Sequence, residues 1–203
     1  MSEKVQIIPA KPSHKEDFQK IIKESAGNVI SALFGADFIQ NQLAELYSSP
    51  GNLFSYEYTN FLSIGEKIGG GVLAYTWLEK RKSEFSTGFK LVKSLRFKFL
   101  RLLPQLIRSS REMGSVREGE LYISNLAIFR EFRGRGLGKV LLKWCLSKAS
   151  KERCEKIALD VEKKNIRAIK LYQKFGFSGE REFSVQTDKE TFQFFRMIYR
   201  VKN

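Results

Sequence analysis

Residues 121–142, LYISNLAIFREFRGRGLGKVLL, constrain the fold more than any other stretch. Residues 121–129 are dense in apolar, aromatic and β-branched side chains and read as a largely buried strand. Leu137, Val140, Leu141, Trp144 and Cys145 then recur at three- and four-residue intervals, while Lys139, Lys143 and Ser147 fall on the other side of a helix. Between strand and helix lies Arg133-Gly134-Arg135-Gly136-Leu137-Gly138. Glycines at such a junction let the backbone approach a bound group closely. A helix N-terminus adds free N–H groups and partial positive charge, so the junction suits a phosphate or pyrophosphate. The two arginines strengthen that preference. A turn serving only tight strand–helix packing is the plain alternative.

Other phosphate loops fit less well. A dinucleotide fingerprint needs G-x-G-x-x-G, and counting from Gly134 and Gly136 puts Lys139 at the third position. A nucleoside-triphosphate loop needs G-x-x-x-x-G-K-[ST], but Arg133 stands at its first glycine and Val140 at its hydroxyl residue. Further on, residues 165–177 read as a helix capped by Asn165 and closed by Gly176.

R-x-x-G-x-G after a long strand (Arg133, Gly136, Gly138), followed by N-x-x-A-x-x-L-Y-x-x-x-G-F from Asn165 to Phe177, resembles the GNAT superfamily of acyl-CoA-dependent N-acyltransferases. The match runs over residues 120–177. The resemblance implies an α/β fold: a mixed, mostly antiparallel twisted sheet with helices on both faces. It also implies a central parallel pair, about 121–129 and 156–161, splayed at the cofactor. Acetyl-CoA would be the acyl donor, with no metal. Strand groups of Leu126, Ala127 and Ile128 would meet the pantetheine arm. Arg133, Gly134, Arg135, Gly136, Leu137, Gly138 and Lys139 would hold the pyrophosphate, with Asn165 and Tyr172 beside the cofactor. By the same resemblance Tyr172 is the general acid for the departing sulfur. Glu120 matches a catalytic glutamate of the ribosomal-protein N-terminal acetyltransferases and is the candidate base; a solvated strand-end charge shared with Glu118 is the alternative.

The chain has 203 residues, enough for one domain over residues 1–203 with a substantial core. Lys and Arg number 36 against 22 acidic residues, a balance of +14 that favours anionic partners without choosing among them. Cys145 and Cys154 form no metal pattern, and the single histidine, His14, is expected to be solvated near the start of a polar helix. Ser-His-Asp and His-metal mechanisms are therefore set aside. No signal peptide precedes Val5 and no run of about 18 apolar residues is present, so a reduced cytoplasmic setting is expected.

Residues 5–8 read as a first strand. Ser13 is the expected cap of a helix through about Glu24, with Glu16 completing a capping box. A second helical region, about 29–47, is interrupted by Gly35. Residues 54–64 and 68–77 read as a hairpin whose second strand is weakened at Gly69-Gly70-Gly71, and 177–185 with 191–201 as a closing pair. Residues 80–111 look like a basic helical insertion, with ten Lys or Arg and one acid, Glu84. Val92, Leu95, Phe99, Leu102 and Leu106 mark its expected inner stripe, and Pro104 its expected break. That segment is expected either to be a docked helix with a solvated basic face or to touch an anionic macromolecule, in preference to lipid.

These readings favour transfer of an acetyl group from acetyl-CoA to a primary amine by direct attack, the acceptor being a protein N-terminus or lysine. A small polyamine or aminoglycoside is the second acceptor class. A non-catalytic acyl-CoA-binding or nucleic-acid-associated protein of the same fold is the alternative outside enzymology.

Overall fold

In the computed structural model, which describes residues 4–202 apart from the side chain of residue 111, seven strands form one sheet. They are β1 (Val5–Pro9), β2 (Thr59–Ile64), β3 (Lys67–Thr76), β4 (Glu120–Ile128), β5 (Lys156–Glu162), β6 (Ser178–Gln186) and β7 (Thr191–Arg200), in the spatial order β1-β2-β3-β4-β5-β7-β6. Every neighbouring pair is antiparallel except β4–β5. The helices are α1 (Lys15–Phe34), α2 (Phe38–Ser48), α3 (Trp77–Leu95), α4 (Phe97–Glu112), α5 (Leu137–Lys151) and α6 (Ile166–Phe175). The mixed sheet and its central parallel pair agree with the expectation from sequence.

The period-two alternation of the strands sends successive residues into different layers. Phe61, Leu73 and Tyr122 pack with Phe18 and Ile21 of α1 and Leu43 of α2. Leu62, Val72, Ile123 and Leu159 pack on the opposite face with Leu141, Leu142 and Cys145 of α5. The glycine run in β3 is a fitting requirement: a Cβ on Gly71 would lie 2.4 Å from Ile21 Cδ1 and 2.8 Å from the Asn60 carbonyl. The strand runs through that region unbroken.

One irregularity shapes the centre. Leu73 faces Asn125 and Ala74 faces Ile123, so Ser124 is an extra residue in β4, a β-bulge. Parallel pairing of β4 with β5 covers only residues 120–123 against 156–159, while β5 stays paired with β7 as far as Glu162. Beyond Ile123 the two strands part, and their backbone groups on the facing edges are left open.

Several local expectations are corrected. Ser13 lies in a 3-10 turn (Pro12–His14), and α1 starts after His14, which is half-buried with its ring edge-on to Phe61 at 5.2 Å. Residues 56–58 form another 3-10 turn, so strand β2 begins only at Thr59. The insertion breaks at Arg96, which adopts φ 50°, and Pro104 lies within α4. Pro104 is on the exposed side, where water can reach the carbonyl that its missing N–H leaves unpaired.

Candidate functional site

A cleft of about 1030 Å³ opens where β4 and β5 separate. Its cofactor-like wall is built from residues 124–128 of β4, the glycine loop, the start of α5, and Asn165, Leu171 and Tyr172. Gly134 and Gly136 have φ of 86° and 74°, in the left-handed region that side-chain-bearing residues enter at a cost. No side chain caps α5, so the first amides of this helix face the cleft without an intrahelical partner. Gly138 serves packing as well: a Cβ there would lie 2.8 Å from Leu171 Cδ2 of α6. Arg133 lines the same wall, donates from Nε to the Ile128 carbonyl at 2.9 Å and pairs with Glu24. Arg135 stacks its guanidinium over Phe132, 5.6 Å from the ring centre. Lys139 adds a further positive charge to the lining. Open strand edge, uncapped helix terminus and flanking cations fit an elongated ligand with an amide-rich arm and a pyrophosphate.

Asn165 accepts a hydrogen bond from the Ala168 amide at 3.1 Å and so caps α6, as its position predicts. On the next turns Tyr172 is buried against Phe177, with ring centres 5.7 Å apart, and its ring lines the cleft. Burial raises its phenol pKa well above the ordinary tyrosine value, so the proton is held across the neutral range.

A carboxylate that sequence reasoning missed lies across the cleft. Asp160 of β5 accepts hydrogen bonds at Oδ2 from the Tyr122 hydroxyl and the Gly114 amide, each at 2.9 Å. Its Oδ1 has no hydrogen-bond partner; Arg196 Nη1 is 3.5 Å away, an ion pair slightly too long for a good hydrogen bond. Burial raises the Asp160 pKa, opposed by the Gly114 and Tyr122 hydrogen bonds and the Arg196 charge. Tyr122 and Asp160 both line the cleft.

Glu120 is placed elsewhere. It is 1% exposed at the paired end of β4, and its Oε2 accepts from Arg196 Nη2 at 2.8 Å and from the Arg117 amide at 2.9 Å. It does not contribute to the cleft lining. Arg196, 0% exposed, also donates to Glu180 at 3.0 Å and to the Ser115 carbonyl at 2.8 Å, so it gathers three carboxylates at the base of the splay. Glu120 thus pairs with Arg196, whose Nη1 is 3.5 Å from Asp160 Oδ1.

The other side of the cleft is roofed by α1, α3 and α4. Asn125, one residue past the bulge, donates to Ser25 Oγ at 2.9 Å, and α1 kinks next to it at Ala26 (φ −147°). Val29, Leu33, Phe54, Leu91, Phe99 and Leu106 give this half apolar walls. Each carboxylate in the lining has a basic neighbour: Glu24 with Arg133, Glu84 with Lys80 at 3.4 Å, Asp160 with Arg196, and Glu162 with Lys164 at 4.0 Å.

Residues 99–177 match the acetyltransferase (GNAT) family, and an N-acetyltransferase from Staphylococcus aureus Mu50 superposes with a TM-score of 0.65 over 96% of this chain and 100% of that one, at 19% identity. The fold is the GNAT fold. NAA60 of Arabidopsis thaliana, solved in complex with acetyl-CoA, shares it with a TM-score of 0.59 over 98% of this chain and 100% of that one, also at 19% identity. In sequence, the spermine/spermidine N(1)-acetyltransferase of Bacillus subtilis (strain 168) is 37% identical over 71 residues, 34% of this chain and 47% of that protein. This chain therefore spans about half the length of that relative. The GNAT match covers the glycine loop, Asp160 and Tyr172, and stops short of Arg196.

Proposed function

We propose that this GNAT protein transfers an acetyl group from acetyl-CoA to the α-amino group of a polypeptide whose first side chain is apolar. The observation that carries the acceptor is the roof of the cleft: apolar walls, with each lining carboxylate already matched to a base. A polyamine or aminoglycoside needs unmatched carboxylates to replace its hydration, and burying its charges without them is costly. A lysine side chain brings a long flexible stem to the same groove and makes less use of its width. The free, buried cysteines accord with a reduced cytoplasmic setting; burial pushes the Cys145 thiol up to about 12, which makes it inert.

In this reading the open edge of β4 at Leu126, Ala127 and Ile128 receives the pantetheine arm. Arg133, Gly134, Arg135, Gly136, Leu137, Gly138 and Lys139 surround the pyrophosphate, with Asn165 holding α6 beside them. The amine nitrogen attacks the thioester carbonyl carbon, and the carbon–sulfur bond breaks. The Tyr122 hydroxyl oxygen takes the amine proton as its own proton passes to Asp160 Oδ2, directly along their hydrogen bond. A raised pKa suits a carboxylate for this role, because it makes the ionised form a stronger base. Tyr172 gives its proton to the departing sulfur; Asp160 then releases the proton it received to solvent, and the Tyr172 phenolate takes one back.

An acetyl-CoA turnover screen tests the reading. Peptides beginning with Met, Leu or Phe should be acetylated faster than peptides beginning with Asp or Gly, lysine-only peptides, spermidine and aminoglycosides. Faster turnover of spermidine would overturn the acceptor assignment. Acetyl-CoA binding without turnover of any amine would assign the protein to the non-catalytic class.

A further inference from the structure

We infer that the α3–α4 hairpin docks the protein on an anionic lipid surface. Its two helices carry apolar side chains on both faces. Inward, Leu91, Leu95, Phe99, Leu102 and Leu106 pack against the domain beside polar pins: Tyr58 Oη and Ser83 Oγ are 2.7 Å apart, Thr87 Oγ1 accepts from the Leu53 amide at 2.9 Å, and Gln105 donates to the Ala32 and Leu33 carbonyls at 3.1 Å. Outward they present large apolar side chains. Phe85 is 89% exposed and Phe97 85%, with Phe89 and Leu100 also well exposed. Of nine exposed large apolar residues in the described chain, seven fall between residues 78 and 107, so the patch is local and not the scatter usual on a protein surface.

On α3, Leu78, Phe85, Phe89 and Val92 recur at seven-, four- and three-residue steps, which is one helical stripe. Arg81, Lys82 and Lys93 flank it, all exposed. On α4, Phe97 and Leu100 are bordered by Lys98, Arg101 and Arg108, also exposed. The exposed acid of this segment, Glu84, is matched to Lys80. An apolar stripe between cationic borders is the pattern of a helix lying in the plane of a bilayer, its apolar side chains below the headgroups and its cations among anionic lipids. The aliphatic members of the stripe offer nothing to a nucleic acid base, which favours lipid over RNA. No helix among the described residues is long and apolar enough to cross a membrane, so the contact is peripheral. The notion of a single inner stripe at Val92, Leu95, Phe99, Leu102 and Leu106 is corrected here: Leu95 is buried and Phe99 partly so, whereas Val92 belongs to the outer stripe.

Flotation of the whole protein with vesicles tests this. Phosphatidylcholine mixed with phosphatidylglycerol should carry the protein upward at low salt, and phosphatidylcholine alone should not. The double substitution Phe85→Ser and Phe97→Ser should cut partitioning by about tenfold or more, since these rings supply buried apolar area. Lys82→Gln, Lys93→Gln and Lys98→Gln should each cost about fivefold, an effect that high salt removes. None of these residues lines the cleft, so acetyl-CoA binding should persist and report an intact fold. Absence of flotation with either vesicle overturns the inference. So does flotation that the serine pair leaves unchanged while poly(U) RNA competes it away, which assigns the surface to nucleic acid. Light scattering that shows a dimer dispersed by the serine pair, without vesicle binding, assigns it to a second copy of the chain and overturns it equally.

Discussion

The cofactor-like wall of the cleft and its helical roof hold their places by opposite means. The wall is apolar where it meets the sheet and polar where it meets the cleft: Leu137 and Leu141 anchor α5, and the free backbone of the loop is what a ligand would read. The roof is tied down by Thr87 accepting from the Leu53 amide, by Gln105 donating to two carbonyls and by the inward Leu91, Leu95, Phe99 and Leu106, while Phe85, Phe89 and Phe97 point away from the protein. A wall anchored by core packing tolerates few changes, because interiors are close-packed. A roof whose outward face makes no core contact can exchange its outward residues while the sheet stays intact. In the proposed reading, the acetyl chemistry and the choice of acceptor are thereby lodged in separately supported parts of the chain.

The comparison breaks most sharply at Asp160. Asp160→Asn should lower kcat by roughly 10²–10⁴ with little change in acetyl-CoA affinity, because only the proton acceptor is lost. Wild-type activity should fall as the pH drops through the Asp160 pKa, since the protonated carboxyl accepts nothing. Burial shifts that limb upward from the ordinary aspartate value, and stopped-flow rates across pH should show it vanish in the asparagine variant. A Glu120→Gln variant that reproduces both effects would return the base to the end of the strand.

Tyr172→Phe should reduce kcat by about 10², at the lower end for acid–base groups, while calorimetry finds acetyl-CoA binding intact. In the roof, Gln105→Ala removes a side chain that serves two carbonyls and also accepts from the Asp188 amide at 3.1 Å. Urea unfolding should report a loss of about 1–3 kcal/mol, with the acceptor KM rising more than that for acetyl-CoA. In the wall, Gly136→Ala places a Cβ at φ 74° and should cost about 1–2 kcal/mol of stability together with weakened acetyl-CoA binding. The smallest effect sharpens the acceptor rule. Lys80→Gln removes a partly exposed ion pair worth under about 1 kcal/mol, leaving Tm nearly unchanged. It frees Glu84 in the cleft, so spermidine turnover should rise while peptide turnover does not.

The wall was legible in the sequence and the roof was not, for physical reasons. Gly134, Gly136 and Gly138 report backbone conformation and close packing, which are local demands, and Asn165 with Gly176 marks both ends of α6. Asp160 carries no such local mark. Within KIALDVE it reads as one polar residue in a short buried strand, and its role depends on the bulge at Ser124, the hydroxyl of Tyr122 and Arg196 on β7. Glu120 stands out because a strand-end acid is visible in one dimension, whereas the arginine that pairs with it is 76 residues away. In the insertion, helical periodicity shows apolar stripes but not which one faces inward. The break at Arg96 lacks the glycine that usually marks such a φ, and Pro104 drew attention to the wrong turn.

The bulge at Ser124 leaves the sheet as two plates on a short seam, four residue pairs long between β4 and β5. In the proposed reading, a donor lying along Leu126 and Ile128 would extend that seam from outside the chain, taking the place of missing strand contacts. Loading would then also be a mechanical brace. Amides of the parted ends of β4 and β5 should exchange with solvent as one cooperative unit, slow with the donor in place and fast without it, while those of residues 120–123 should change little.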